Sequence, residues 1–247
     1  MLAAAAIVLA AVLHPLEEAG FLAVFNLDYA DQKRADEFLR EFAEFVQKGN
    51  LPRLLLVRLG NDHTAGTTPG RWTPQAMVAD NDDALGRIVE AVSRSPVWNQ
   101  TAIFVLEDDA QNGADHVDSH RSPAFVISAY AKRGFVDSTH YTTASMLRTM
   151  ELILGLHPMT QFDAAATPMA NSFAARPNLQ PYIAESPRVN LDERNPAAAP
   201  GAAESARMDF SQEDRIDDDE LNEVLWRAIR GSTPPAATRS YFGRSRR

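Results

Sequence analysis

"TAIFVLEDDAQNGADHVDSHRSPAFVISAY", residues 101–130, sets a dense polar stretch between two apolar runs. Residues 104–123 alone hold five carboxylates, two histidines and one arginine. The flanks, TAIFVLE and PAFVISAY, are short and rich in β-branched and aromatic residues, and they read as buried strands. A buried strand that runs into Asp108 and Asp109 is costly unless those carboxylates are paired or hold a cation. Solubility does not require the charge, because the chain already carries a formal net charge of −9. Two readings follow from the residues: a metal site, or a solvated loop whose His116 is an ordinary loop histidine.

Upstream, the same alternation repeats. LPRLLLVRLG, with Leu54 to Val57 in a row, reads as a buried strand. The polar, turn-rich NDHTAGTTPG follows it and brings Asp62 and His63. Amphipathic helices are expected at DQKRADEFLREFAEFVQKG, with apolar Phe38, Leu39, Phe42, Phe45 and Val46 and a stop at Gly49, and at PQAMVADNDDALGRIVEAVSRS. FLAVFNL reads as a further strand, and TTASMLRTMELILGL as a helix opened by a threonine cap. Strands alternating with helices define an α/β fold, here a mostly parallel sheet sandwiched by helices. Ligands of such folds bind outside the carboxyl ends of the strands. Both charged loops leave buried strands, so they should meet at one edge of the sheet.

The oxygen and nitrogen donors of Asp62, His63, Asp108, Asp109, His116 and His120 suit zinc, manganese or iron better than magnesium or calcium. Two close divalent ions are the usual apparatus for displacement at phosphorus. Arg121 could bind a phosphate through its fork or pair with a neighbouring carboxylate. Asp62 could equally be a turn residue bonded to backbone N–H groups. Asp115 and Asp118 read as solvated, and His14, His140 and His157 as structural.

The bulk composition narrows the classes. The 247 residues are 45% hydrophobic and 23% charged, as in globular proteins. The negative net charge argues against nucleic acid or an anionic membrane as the main partner. With no cysteine, disulfides, thiolate metal sites and cysteine nucleophiles are excluded. The apolar run Leu2 to Leu13 is too short to span a bilayer as a helix. It reads as a leader, or as a helix or strand packed on the core. Residues 171–231 form an irregular, Pro- and Ala-rich surface segment ending in a helix, DELNEVLWRAIRG. Residues 232–247 are a basic tail.

FVLEDDAQNGADHVDSHRSPAFVISAYAKRG resembles the metal-binding stretch of the alkaline phosphatase superfamily, in particular the phosphoesterases that include phospholipases C and acid phosphatases. The matching features are Asp108-Asp109, Gly113, Asp115-His116-Val117, Arg121-Ser122-Pro123 and Lys132-Arg133-Gly134. NDHTAGT resembles the family's histidine-bearing loop, and STHYTTASMLRTMELILGL the helix after the site. The resemblance runs from about Phe21 to Gly231. It implies a phosphoric-ester hydrolase with two divalent ions, zinc or manganese. Asp108 and Asp109 would hold one ion, and Asp62, His63 and His120 the other, with His116 nearby. It also implies a periplasmic or secreted location and, in some relatives, a β-propeller partner.

The family's early Asp or Glu-Asn ligand and its Thr or Ser nucleophile precede this region. Residues 1–20 contain no Thr, Ser or Asp. Neither Thr64 nor Thr67 matches the nucleophile. The expectation is therefore an N-terminally incomplete catalytic domain, with 1–20 as leader and 21–170 as the C-terminal half of the core. The alternative is a non-catalytic metal-binding fragment, or one half of a split phosphoesterase completed by a second chain. A mutase or sulfatase-like activity is a third option on the same scaffold.

Overall fold

The computed structural model describes residues 26–107, 122–212 and 215–234, and the backbone of 5–9. Four strands form one sheet in the order β2-β1-β3-β4: β1 Ala5–Leu9, β2 Leu54–Leu56, β3 Thr101–Leu106 and β4 Ala124–Ser128. β1 is parallel to both of its neighbours, with Ala6 opposite Leu54 and Ala102. The apolar N-terminal run thus supplies an inner strand. β4 is antiparallel to β3, Ile103 pairing with Ile127. The sheet is therefore mixed. A parallel return needs a crossover, usually a helix, whereas an antiparallel one needs only a hairpin connection. No helical pattern separates β3 from β4 in the sequence. The chain turns back there, and Glu107 N–H donates to Pro123 O at 3.2 Å.

Helices pack on both faces. β3 shows why, since its alternate residues point opposite ways. Ile103 faces α1 (Asp31–Lys48) and α2 (Pro74–Ser93), in a core with Ala35, Phe42, Ala84, Ile88, Val89 and Val92. Ala102 and Phe104 face α3 (Thr143–Leu154) through Met146, Met150 and Leu154. The helix boundaries follow local chemistry. α1 stops at Gly49, which takes the left-handed φ of 66° that a non-glycine residue adopts at a cost. α2 opens with Pro74 behind the Thr73 cap, and α3 opens with a Thr142–Ser145 capping box. On edge strand β2, Leu54 and Leu56 are 46% and 43% exposed.

Short helices α4 (Gln161–Ala165) and α5 (Ala202–Ser205) precede α6 (Asp218–Arg230). The irregular chain between α4 and α5 is tied to the core, since Tyr182 N–H donates to Ser93 Oγ and Asn178 N–H to Ala129 O. The strand expected at FLAVFNL falls mostly outside the described residues; of it, Leu27 is buried in a turn. Among the described residues no helix is long and apolar enough to cross a membrane.

Ile88 and Ile103 are fully buried, whereas Ile229 is 55% exposed. Truncating either of the first two to alanine should cost about 2–5 kcal/mol by urea unfolding. Ile229→Ala should stay within about 0.5 kcal/mol. Equal losses at all three would contradict this core.

Candidate functional site

β2 and β3 both run parallel to β1, so their carboxyl ends lie at the same end of the sheet. Past β2 the chain makes a single 3-10 turn, Asn61–His63. From Gly60 to Thr67 every residue is buried except Asp62 and His63, which are half-buried. The turn thus hides its frame and presents one carboxylate and one imidazole.

Asp31, at the start of α1 and fully buried, holds that frame. Its Oδ1 accepts the Gly60 N–H at 3.1 Å, and its Oδ2 accepts the Asn61 N–H at 2.9 Å. Arg34 Nη1 pairs with Oδ1 at 2.7 Å. Asp80, buried in α2, accepts the Asp31 N–H at 2.6 Å and Asn61 Nδ2 at 2.7 Å. Asn81 Nδ2 donates to Asp31 Oδ2 at 3.0 Å and reaches Asp62 Oδ1 at 3.5 Å. The starts of α1 and of the turn and the middle of α2 are thereby locked together.

The turn ends in strain. Thr64 has φ 59° and ψ 169°, and it is the only non-glycine residue with positive φ among the described residues. A β-branched residue there costs on the order of 1–3 kcal/mol, so the surroundings must impose it. Such strain collects at functional sites.

The electrostatics are those of carboxylates crowded out of water. Burial pushes the Asp62 carboxyl above the ordinary aspartate range; His63 pulls it down and the Asp31 charge pushes it further up. Burial likewise raises Asp80. Glu107, just past β3, is raised first by desolvation of its carboxyl group and then by the charge of Asp62, while His63 lowers it. The ends of β2 and β3 therefore share one electrostatic environment. Ser122 Oγ donates to Glu107 O at 2.6 Å, so the chain on either side of residues 108–121 is tied together beside Glu107.

Of the residues expected from sequence, Asp62 and His63 stand together at this edge. Asp108, Asp109, His116, His120 and Arg121 lie outside the described residues. Among the described residues no group of three or more carboxylates and imidazoles is gathered as a metal site. Thr64 and Thr67 are buried at 3% and 1% exposure. His140 and His157 are exposed. Asp31, Asp80, Asn81 and Glu107 were not anticipated. A signal existed for two of them: ADNDDA puts four poor helix formers inside α2, where Asp and Asn usually compete with the helix backbone.

An α/β fold with polar turns at the carboxyl ends of adjacent strands defines the class of protein. The model of the Phosphoesterase family matches residues 22–157, more than half of the chain, and the chain belongs to that family. No curated protein matches it.

Two measurements check this network. Asp31→Ala would leave the Gly60 and Asn61 N–H groups without their acceptor and Arg34 without its carboxylate, with only backbone carbonyls remaining to it, and should destabilise the fold by about 3–5 kcal/mol in urea. For pH, the folded state holds the Asp80 proton where the unfolded chain has released it. Its favourable contribution is present at low pH and is lost as pH rises through the raised folded value. Asp80→Asn should therefore gain stability relative to wild type as pH climbs from the ordinary aspartate range through that value, then level off. A gain toward low pH would contradict the assignment.

Proposed function

We propose that the chain is a metal-dependent hydrolase of phosphoric esters, of the alkaline-phosphatase-like kind that includes phospholipases C and acid phosphatases. The alkaline-phosphatase-like architecture, a mostly parallel sheet between helices, is part of the same proposal. The observation that carries it is the presentation of Asp62 and His63 at the sheet edge where β3 leads into Glu107 and the chain enters and leaves residues 108–121, within a Phosphoesterase-family chain.

The donor set fits a divalent ion such as zinc or manganese: carboxylate oxygens and an imidazole, on a turn whose Gly60 and Asn61 N–H groups are taken by Asp31. Asp62 and His63 would hold one ion with His120, and Asp108 and Asp109 the other, with His116 beside them. Arg121 would engage the substrate phosphate through its fork. A divalent ion there supplies positive charge against the oxygens of the transferring group. Burial raises the Asp62 carboxyl, and the neighbouring His63 opposes that rise. Burial sets Thr64 and Thr67 apart from the role of nucleophile, and Thr67 Oγ1 lies 3.1 Å from Ser205 Oγ. The family's Thr or Ser nucleophile has no counterpart among the residues assigned here.

A second reading is a metal-binding chain that is one half of a split phosphoesterase, completed by another chain. The half-exposed Leu54 and Leu56 on edge strand β2 favour it, since an open apolar edge invites a partner.

Hydrolysis of a chromogenic phosphomonoester and phosphodiester, with manganese or zinc added after chelation, separates the two. The first reading expects turnover that falls roughly 100-fold or more in His63→Ala and Asp108→Ala. Tight metal binding without turnover supports the second. Turnover that survives chelation contradicts both.

A further inference from the structure

The strained Thr64 is held from two sides. Upstream the hold is Asp31. Downstream it comes from a part of the chain beyond the family-matched stretch. Asn195 is 5% exposed, and its Nδ2 lies 3.3 Å from Gly66 O, 3.2 Å from Thr68 O and 3.0 Å from Trp72 O. Its backbone N–H donates to Arg71 O at 2.8 Å, and its carbonyl accepts the Gly70 N–H at 2.9 Å. The Arg194 guanidinium sits 4.0 Å from the centre of the Trp72 ring.

Ser205, 1% exposed, adds a second grip. Its Oγ accepts the Thr67 N–H at 2.9 Å. The approach is tight: a Cβ on Gly66, whose φ is 54°, would fall 2.6 Å from Ser205 Oγ. Ser205 is the last residue of α5, and α6 steadies α5. Val224 lies so close to Gly201 that a Cβ there would meet it at 2.7 Å, and Arg227 pairs with Glu204 at 3.2 Å.

We infer that Asn195 and Ser205 are positioning residues: together they clamp the loop after His63, and so fix the direction in which Asp62 and His63 are presented. The inference rests on the proposed role of Asp62 and His63 as metal ligands. Neither Asn195 nor Ser205 needs to touch metal or substrate; both act through the backbone of residues 66–72. Side chains that orient ligands typically matter 10–100-fold in metal affinity when removed.

The test uses the full chain as wild type, Ser205→Ala, Asn195→Ala and His63→Ala, with two readouts: hydrogen exchange of residues 60–72, and Mn²⁺ affinity by calorimetry. Ser205→Ala deletes one oxygen and carries the test if Asn195→Ala fails to fold. Exchange in 60–72 is expected to quicken at least about tenfold while α1, α2 and β3 stay unchanged. Mn²⁺ affinity should fall about 10–100-fold. Unchanged exchange in Ser205→Ala overturns the clamp, whatever the metal does. Faster exchange with unchanged Mn²⁺ affinity, where His63→Ala does weaken binding, shows a held loop that positions nothing, and also overturns it. If His63→Ala binds Mn²⁺ as wild type does, the reading of the site itself fails, and the positioning role fails with it.

Discussion

One buried carboxylate organises this end of the molecule. Asp31 takes two backbone N–H groups from the chain leaving β2, a side-chain amide from α2 and a guanidinium from α1. A charge in that position is expensive unless each of its lone pairs is used, and here they are. The result is a junction of α1, the turn after β2 and α2, elements whose hydrophobic faces already share one core. Hydrophobic packing brings these elements together, and it tolerates sliding. The polar junction does not, because a shifted turn would strand N–H groups away from water.

The junction matters because of what it leaves outside. The turn after β2 spends its backbone on Asp31 and Asn61 on Asp80, so Asp62 and His63 are left as its half-buried side chains. Parallel pairing through β1 puts the end of β3 at the same edge, where the Asp62 charge helps to raise the Glu107 carboxyl after burial does. The antiparallel return of β4 ties off residues 108–121 there. Sheet topology, rather than any single motif, brings the turn after β2 and the end of β3 to one edge.

Much of this was legible in the sequence. The 3.6-residue spacing of Phe38, Phe42 and Phe45, the Gly49 stop and the threonine cap before α3 mark helices that the fold contains. Thr101–Leu106 reads as a strand because its alternate residues face two different cores. The direction of β4 was less plain, since an apolar run does not record which way its neighbour points. Asp31 reads only as an acid in a first helical turn, because its partners other than Arg34 lie 29 to 50 residues away. Asn195 was hidden for a related reason. It sits in a stretch without periodicity, and periodicity reports only apolar burial. A buried amide that satisfies a loop's carbonyls leaves no such trace.

The central claim is that the ends of β2 and β3 form one cation-binding edge. Its most direct test is a titration of substoichiometric Mn²⁺ into ¹⁵N-labelled protein, followed by paramagnetic broadening of backbone amides. The account predicts that the amides of residues 61–64 and of Glu107 broaden first and together, ahead of the exposed acidic surface of α1 around Glu37, Glu41 and Glu44. Broadening that begins on α1, or that reaches the turn without Glu107, would contradict a shared site.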